Sequence, residues 1–454
     1  MIHKLDLAKS RFGVIGLGET GLSIIHYLKY HNSKIVRIFD TRDNPPHQDQ
    51  LTQFDLCFGS LDYKKMQDID VLVLSPGVSI YDEALQLALK NGILVVGDIE
   101  LFALAIKSWN SKVIGITGSN GKTTVTSLTG YLANGLGYKT LVAGNIGDPV
   151  LDSYLEVTKT GITPEVVVLE LSSFQLESTY SLDLASATVL NISEDHLDRY
   201  RDYLEYAYVK ANIFNNCKIQ VLNELDPFVK AMARPNLEQY YFSINGTSQY
   251  TIVKKNSITY LEINGKQVLD CSKLGLVGTH NFQNCLASIA LLDGARINYS
   301  EDKLIDLLTK FQGLEHRMQK VLVKDGITYI EDSKGTNVGA VVAGVSGLDM
   351  PVNLILGGDG KGQDFSPLRQ LVLDKCKSVA IIGQDKLLID KVLQGINIPI
   401  KNFNTLEEAI VFLFENAVSG DCIVLSPACA SWDMFDNYKH RARVFVETIY
   451  EITK

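Results

Sequence analysis

The stretch Lys112-Val-Ile-Gly115-Ile-Thr-Gly118-Ser-Asn-Gly121-Lys122-Thr123-Thr124 decides the fold, because an apolar run leads into a glycine-rich loop and then into a helical pattern. Glycines let backbone N–H groups converge on phosphate oxygens, and a helix N-terminus adds a favourable dipole. Lys122 would neutralise the β- and γ-phosphates, and Thr123 or Thr124 would present a hydroxyl to a divalent cation. Ile116 departs from the strict G-x-x-x-x-G-K spacing. The alternative interpretation is a glycine-rich turn with an incidental lysine.

Outward from this loop, β-branched runs alternate with longer helical patterns, which favours βαβ units and mainly parallel sheets. We predict strands at residues 11–17, 34–39, 71–74, 112–117, 166–171, 187–192, 352–356, 378–382 and 422–425. Two further stretches, 249–270 and 319–331, alternate like β-hairpins, the second around the turn dipeptide Asp325-Gly326. The sequence therefore predicts an α/β protein of three domains, with limits at 1–97, 98–313 and 314–454.

Near the N-terminus, Gly16-Leu-Gly18-Glu-Thr-Gly21 follows a predicted strand, and Asp40 closes the next one. This is the spacing of a dinucleotide-binding turn, in which a diphosphate sits at the helix start and the acid reaches a ribose or base. An ordinary βα turn capped by Asp40 remains the alternative.

Carboxylates follow two strands of the central region. Glu170 ends one strand, and residues 191–199 place Glu194, Asp195, His196 and Asp198 after the next. Mg²⁺ prefers hard oxygen ligands, so these groups are candidates to hold it. A helix-capping turn is the alternative for residues 191–199.

Polar loops also mark the last third of the chain. Asn281 and Asn284 lie three residues apart at a helix start, where they suit an adenine or ribose edge or simply cap the helix. Three loops beginning at Asp332, Gly357 and Ser426 carry lysines and hydroxyls, which pair with carboxylates of a small anionic substrate.

Composition excludes several classes of protein. The chain has 43 lysines and arginines against 52 aspartates and glutamates, a formal charge of −9, which argues against nucleic-acid or anionic-membrane binding. The sequence shows neither an apolar run long enough for stable membrane insertion nor a signal peptide. Seven scattered cysteines are typical of reduced thiols, so we expect a cytoplasmic protein.

Taken in order, these motifs resemble the Mur ligase family of peptidoglycan synthesis, and within it the members that add D-glutamate. The resemblance covers nearly the whole chain, and its further elements are Asp40-Thr-Arg42, Ser75-Pro-Gly77, Gly97-Asp-Ile-Glu-Leu-Phe102, Gly144-Asn145-Ile-Gly, Glu170-Leu-Ser-Ser-Phe-Gln175, His280-Asn-Phe-Gln-Asn284 and Gly313-Leu-Glu-His-Arg317.

The resemblance implies a Rossmann-like UDP-binding domain, a central P-loop ATPase-like domain and a Rossmann-like C-terminal domain for the incoming amino acid. ATP would phosphorylate the carboxylate of UDP-N-acetylmuramoyl-L-alanine, and the amine of D-glutamate would attack the acyl phosphate. The implied cofactors are ATP and Mg²⁺. We expect a monomer.

The resemblance also implies a role for individual residues. Those for ATP are Gly118, Ser119, Asn120, Gly121, Lys122, Thr123, Thr124, Asn281, Asn284, Arg317 and Asp332. Those for the UDP-linked acceptor are Gly18, Thr20, Asp40, Thr41, Arg42, Ser75, Pro76, Gly77, Asn145, Ser172 and Gln175. Those for D-glutamate are Lys334, Thr336, Lys361, Ser431 and Tyr438. Those for the metal are Thr123, Glu170, His196 and Lys210, and Lys122 joins Glu170, His196 and Lys210 as catalytic.

The chain departs from the family pattern at three positions. Lys210 takes the place of the family's carbamylated lysine if a one-residue loop deletion is assumed after His196. Trp432 and Tyr438 stand where leucine and phenylalanine are common. Alternatives to a D-glutamate ligase are a nicotinamide-dependent dehydrogenase, folylpolyglutamate synthetase, another Mur ligase and a non-enzymatic binding module.

Overall fold

Three sheets follow one another along the chain in the computed structural model, which describes residues 5–193, 195, 199–276 and 278–454. Most neighbouring strands are parallel, as the alternation of strand and helix patterns predicts. The predicted α/β class is confirmed. In the described residues, no helix is both long and apolar enough to cross a membrane.

The first sheet has five parallel strands with helices on its faces. Its strands are β1 (Arg11–Ile15), β2 (Lys34–Asp40), β3 (Asp55–Phe58), β4 (Val71–Leu74) and β5 (Leu94–Gly97), followed or connected by the helices α1 (Glu19–Tyr30), α2 (Glu83–Lys90) and α3 (Asp98–Ala105). The spatial order is β3-β2-β1-β4-β5, so the winding direction reverses at β1. Open α/β sheets bind ligands in the crevice at such a reversal.

The second sheet has nine strands. They are β6 (Lys112–Thr117), β7 (Thr140–Gly144), β8 (Val166–Glu170), β9 (Leu184–Val189), β10 (Cys217–Asn223), β11 (Glu238–Phe242), β12 (Tyr250–Lys255), β13 (Ile258–Ile263) and β14 (Lys266–Asp270). Its helices are α4 (Lys122–Gly135), α5 (Val150–Thr160), α6 (Ser173–Leu176), α7 (Tyr203–Ala211), α8 (Pro227–Ala231), α9 (Thr279–Gly294) and α10 (Glu301–Lys310). The order β14-β13-β12-β11-β10-β9-β6-β8-β7 places β6 between β9 and β8.

The third sheet has six strands in the order β15-β16-β20-β17-β18-β19. They are β15 (Gln319–Lys324), β16 (Ile327–Glu331), β17 (Val352–Gly357), β18 (Cys376–Ile382), β19 (Ile400–Asn402) and β20 (Cys422–Leu425). Its helices are α11 (Val338–Ser346), α12 (Pro367–Lys375), α13 (Lys386–Leu393), α14 (Leu406–Asn416) and α15 (Tyr438–Ile452). The predicted hairpin at 319–331 is confirmed, and φ is +52° at Asp325 and +77° at Gly326, as a tight hairpin turn requires.

Two predicted strands differ from those observed. Residues 249–270 form three antiparallel strands, β12, β13 and β14, so the prediction of a single hairpin there was wrong. The strand predicted at 187–192 is β9, which begins at Leu184 and ends at Val189, because Leu184 pairs with β10 and Ser186 pairs with both β10 and β6.

One cluster of buried apolar residues extends across the first two sheets, whereas the third sheet has separate clusters. One cluster of buried residues runs from β1 and α1 into α5, β8 and α7. At the junction, the Tyr154 ring lies 5.6 Å from the rings of Tyr27 and Trp109. The third sheet packs two separate clusters on its faces. The loops that follow β1, β6 and β16 line clefts between the sheets.

Candidate active site

The phosphate-binding loop connects β6 to α4. Gly118 has φ +149° and Gly121 has φ +83°, backbone conformations that residues with a side chain rarely adopt. A Cβ at Gly121 would also lie 2.9 Å from the side-chain oxygen of Asn284. Lys122 begins α4, and its Nζ donates to the carbonyl oxygens of Gly118 at 2.8 Å and Ser119 at 2.9 Å. The lysine is thus folded over the loop, in place to meet an anion there.

Side chains from the loop after β9 fix this turn. The backbone N–H of Asn120 donates to Asn191 Oδ1 at 2.8 Å, and Asn191 Nδ2 donates to the Asn120 carbonyl at 3.1 Å. Asn120 Nδ2 also donates to Ser193 Oγ at 3.1 Å. The loop is therefore pre-organised, which lowers the entropic cost of binding a ligand.

Glu170 ends β8 directly beside β6, where it pairs with Ile116. Its Oε1 accepts a hydrogen bond from Asn145 Nδ2 at 2.9 Å, while its Oε2 is buried and has no hydrogen-bond partner among the described residues. A buried carboxylate oxygen without a partner is costly unless a cation or donor reaches it. The residue therefore suits the metal role predicted for it.

Lys210 lies on α7 and is 2% exposed. Its Nζ donates to the Gly118 carbonyl oxygen at 3.0 Å and stands 4.7 Å from the centre of the Tyr206 ring. Burial, together with the charge of Lys122, lowers the pKa of Lys210 well below its ordinary value. The structure thus brings Lys210 to the phosphate loop, as a metal-site residue requires.

The other predicted metal ligand, His196, lies outside the described residues, as do Glu194 and Asp198. Within the described part of the chain there is no group of three or more histidine, cysteine, aspartate or glutamate residues that could hold a metal ion. Of the four residues predicted to hold the metal, Thr123, Glu170 and Lys210 lie in the described part of the chain.

The third sheet contributes residues to the same loop. Arg317 Nη2 donates to Thr123 Oγ1 at 2.9 Å, and Asn337 Nδ2 donates to Asn120 Oδ1 at 3.3 Å. Burial lowers the pKa of both Arg317 and Lys122. The loop therefore gathers cations that an anionic ligand would stabilise.

A cleft between α4, α9 and the third sheet contains most of the predicted ATP residues. Its lining includes Asn120, Gly121, Thr124, Asn281, Asn284, Arg317 and Asp332. Asn284 Nδ2 donates to Asn281 Oδ1 at 2.9 Å, so the two amides orient each other. Burial raises the pKa of Asp332 to about 7, although the hydroxyl of Ser426, which donates at 2.6 Å, acts in the opposite direction.

A larger pocket of about 780 Å³ lies between the first and second sheets. It is lined by most of the predicted acceptor residues, namely Gly18, Thr20, Asp40, Thr41, Arg42, Ser75, Pro76, Gly77, Asn145 and Gln175. Ser172 does not line it but caps α6 through a reciprocal pair of hydrogen bonds with Gln175. The structure thus brings the loops after β1, β2 and β4 together at the reversal of the sheet.

Asp40 makes the contacts of a capping residue. Its Oδ2 accepts from the Leu17 N–H at 2.6 Å, and Arg42 contacts both oxygens, at 2.8 Å through Nε and at 2.7 Å through Nη2. Burial acts to raise the pKa of Asp40, but these hydrogen bonds hold it below its ordinary value. Contact between its side chain and a base stays a prediction, and Thr41 and Arg42 are the more open groups of this loop.

Three loops at the carboxyl edge of the third sheet contain the predicted D-glutamate residues. Lys334 Nζ lies 5.2 Å from the centre of the Tyr438 ring, and Ser431 is buried. The loop containing Thr336 follows β16, and the loop containing exposed Lys361 follows β17. Asp359 and Ala430 form a backbone bridge that joins the Lys361 loop to the Ser431 loop.

Comparison with known proteins identifies the family. Family models match residues 10–97 as a Mur ligase MurD-like N-terminal domain, 116–292 as a Mur ligase middle domain and 316–429 as a Mur ligase glutamate ligase domain. The UDP-N-acetylmuramoylalanine–D-glutamate ligase of Chromobacterium violaceum is 45% identical over 98% of each chain. That of Nitrosospira multiformis is 43% identical over 96% of this chain and 94% of its own.

This chain belongs to the Mur ligase family. Within the Mur ligases it belongs to the branch of the UDP-N-acetylmuramoylalanine–D-glutamate ligases. The predictions of family and of a ligase are therefore confirmed, and the alternatives of a dehydrogenase, a folate enzyme and a non-enzymatic module are wrong.

Solved Mur ligases share the fold. The MurF ligase of Thermotoga maritima, solved in complex with ADP, has a TM-score of 0.64 at 13% identity, over 99% of this chain and all of its own. The UDP-N-acetylmuramate–alanine ligase of the same organism has a TM-score of 0.59 at 18% identity, over 98% and 100%. These likenesses support the three-domain Mur ligase architecture.

The Mur ligase fold also uses residues that the sequence did not single out. Arg441 on α15 is 1% exposed, and it donates to both the hydroxyl and the carbonyl of Ser333 and to the carbonyl of Cys429. It thereby joins the Lys334 loop to the Ser431 loop. Its only sequence signal is a position three residues after Tyr438 on the same helix.

Arg199 joins the Ser75-Pro-Gly77 loop to the second sheet. Its Nη1 donates to the Pro76 carbonyl at 2.9 Å and its Nη2 to the Val78 carbonyl at 3.1 Å, while Glu177 pairs with the same guanidinium. The loop after β4 is thus fixed from the second sheet.

Proposed function

We propose that this Mur ligase uses ATP to join D-glutamate to UDP-N-acetylmuramoyl-L-alanine through an acyl-phosphate intermediate, in peptidoglycan precursor synthesis. The observation that carries the proposal is the hydrogen bond of 2.9 Å between Asn145, which lines the acceptor pocket, and Glu170, beside the phosphate loop. This bond supports the proposal because it links the pocket proposed for the acceptor to the strand beside the phosphate loop, where a substrate carboxylate would meet the γ-phosphoryl group.

Each residue group then has a chemical task. The acceptor carboxylate oxygen attacks the γ-phosphorus, the bond to the β–γ bridging oxygen breaks, and ADP leaves. Lys122 and Arg317 would stabilise the charge that develops on the phosphoryl oxygens, and their contacts with the phosphate loop support this role. The neutral amine of the amino acid then attacks the acyl carbon, the amide bond forms, and inorganic phosphate departs with release of a proton.

We propose that Mg²⁺ is held by Glu170, Thr123, carbamylated Lys210 and His196. The unpartnered Oε2 of Glu170 and the buried position of Lys210 support this set. When bound, the metal supplies charge neutralisation at the transferring phosphoryl group. ATP itself would lie in the cleft between Asn281, Asn284 and Asp332.

We further propose domain limits at 1–97, 98–313 and 314–454, a monomeric enzyme and a cytoplasmic location. The N-terminal family model ends at residue 97 and the C-terminal one begins at residue 316, which supports limits near 97 and 313. Seven free cysteines support a reducing compartment.

The amino-acid substrate is expected to be D-glutamate. Incubating the enzyme with ATP, UDP-N-acetylmuramoyl-L-alanine and single amino acids, and measuring phosphate release, should give turnover with D-glutamate and little with D-alanine. The reason is that a pocket built for a second carboxylate leaves its donors unpaired when that group is missing. Preferential incorporation of L-glutamate from an equal mixture would refute the assignment.

Lys361→Ala is expected to raise the KM for glutamate more than the KM for ATP, because the lysine acts as a point charge on one carboxylate. Lys391→Ala on α13 is the matched control, since it removes an exposed lysine from the same domain but away from these loops. Equal KM values for Lys361→Ala and Lys391→Ala would remove Lys361 from the pocket.

The nucleotide of the acceptor is expected to matter. The loops after β1 and β2 meet in one crevice, so a uracil edge can be read there by backbone and side-chain groups near Thr41. A CDP-linked acceptor should therefore show a KM raised about tenfold or more, as for other lost polar contacts. Steady-state kinetics with both nucleotides measure the difference, and equal KM values would contradict this location of the base.

A further inference from the structure

Asp98 is a buried carboxylate in the wall of the acceptor pocket. It begins α3, is 3% exposed and lines the pocket together with Asn145 and Gln175. Its Oδ2 accepts a hydrogen bond of 3.4 Å from Gln175 Nε2, whereas its Oδ1 is buried without a hydrogen-bond partner in the described residues. One oxygen of a carboxylate at a binding site is thus left without a donor.

The orientation of the Gln175 amide is fixed. Its Oε1 accepts from the Ser172 N–H at 3.1 Å and from the Ser172 hydroxyl at 3.2 Å, so its Nε2 is the end that faces Asp98. Gln175 therefore donates to only one oxygen of Asp98, and no donor among the described residues forms a hydrogen bond with the other.

A second buried acid on the same helix, Glu100, provides a comparison, because protein donors occupy both of its oxygens. Glu100 is fully buried, and its Oε2 accepts from the N–H groups of Tyr180 at 2.7 Å and Ser181 at 2.9 Å. Its Oε1 accepts from the Ser181 hydroxyl. Both carboxylate oxygens of Glu100 therefore accept hydrogen bonds without a ligand, whereas only one oxygen of Asp98 does so in the described part of the chain.

The charge state of Asp98 defines the kind of partner it needs. Burial raises its pKa to about 6, and N–H groups at the helix start and on Gln175 offset only part of that effect. Above that pKa the group is ionised, so at neutral pH it is an acceptor only. A buried acceptor of this kind is stabilised by an N–H or O–H donor from a ligand.

We propose that Asp98 is a specificity residue that accepts a hydrogen bond from the alanyl amide N–H of the acceptor. This inference rests on the proposed function. The carboxylate to be phosphorylated must approach Glu170, and Asn145 links Glu170 to the pocket end that Asp98 and Gln175 also line. The amide N–H is the donor nearest that carboxylate along the substrate, so it reaches this end of the pocket.

Asp98→Asn tests the inference with little change of shape. The variant keeps one acceptor oxygen in place of two, so either Gln175 or the ligand N–H would face the amide nitrogen, which is itself a donor. Titration calorimetry should show that the variant loses affinity for UDP-N-acetylmuramoyl-L-alanine by about 10- to 100-fold. Its affinity for UDP, which lacks the sugar and the alanyl arm, should stay within about twofold of wild type.

Glu100→Gln is the matched control. It should lower the melting temperature, because it places an amide nitrogen against backbone donors, and leave the preference for the longer ligand unchanged. If Asp98→Asn folds poorly, the affinities for the same two ligands are measured with Asp98→Ser instead.

Unchanged affinity of both Asp98 variants for the longer ligand, or an equal loss for UDP, would overturn the role of Asp98. A wild-type enzyme that binds UDP-N-acetylmuramoyl-L-alanine no more tightly than UDP would instead overturn the proposed function.

Discussion

Lys122→Ala is expected to abolish ligation and leave the fold intact. Lys122 Nζ lies within 2.9 Å of two carbonyl oxygens of the phosphate loop, and Lys210 Nζ contacts one of them too. Removing a group that stabilises developing charge typically costs about 10²- to 10³-fold in rate, and a full positive charge at the phosphoryl group is worth at least that. Phosphate release under saturating substrates measures the loss.

Stability should change little in this variant. Burial and the charge of Arg317 act against the positive charge of Lys122, whereas Glu170 and Asp195 favour it, so its removal in the absence of a ligand has opposing effects that largely offset each other. We expect a melting temperature within about 2 °C of wild type. Lys159→Ala, at an exposed lysine of α5, is the control for general effects of losing a lysine. Near-wild-type turnover in Lys122→Ala would remove Lys122 from the mechanism.

The phosphate loop could be predicted from sequence because its information is local. Gly118 and Gly121 mark backbone conformations, Lys122 marks the helix start, and the flanking apolar run marks the strand. The same holds for the hairpin at Asp325-Gly326, where two adjacent residues fix the turn. The structure of a strongly periodic segment or of a specific turn is determined by a few neighbouring residues, so it can be predicted from the sequence.

Contacts between distant segments could not be predicted in this way. Strand β7 is only partly buried and β11 is largely amphipathic, so neither stands out as an apolar run. Arg441 bonds to backbone groups of Ser333 and Cys429, and a sequence contains no signal for a carbonyl that needs a donor. The capping of the first βα loop by Asp40 illustrates the same limit, since spacing alone left both of its interpretations open.

Most residues predicted for the acceptor line the pocket between the first and second sheets, yet Asp98 was not assigned a role although its motif was recognised. Asp98 and Glu100 are two acids in one helical turn, and nothing in their order distinguishes them. The distinction comes from Tyr180 and Ser181, which reach Glu100 and do not reach Asp98. The partners of a buried carboxylate, and with them its function, are set by tertiary structure.

Lys210→Ala is the second variant expected to lose most of its activity, by at least about 100-fold, since even indirect partners of a metal ligand are worth about 10- to 100-fold. We predict that Lys210 is carbamylated. A carbamate forms when a neutral amine attacks CO₂ and releases a proton, and burial lowers the pKa of Lys210 well below its ordinary value, which favours that neutral amine. The product is an anionic oxygen ligand, which Mg²⁺ prefers to an ammonium.

The structure makes the modification testable by chemical rescue. Lys210 is buried beside the Gly118 carbonyl, so truncation to alanine opens a space that a short-chain carboxylate such as acetate can enter. Acetate should restore part of the activity of Lys210→Ala and none of that of Lys122→Ala, because Lys122 acts as a cation. An intact-mass measurement that preserves labile groups should show an added CO₂ on wild type only. A fully active Lys210→Ala enzyme would show that Lys210 is not needed for ligation. Density for a free ammonium at Lys210 in a metal-bound crystal would show that the lysine is not carbamylated.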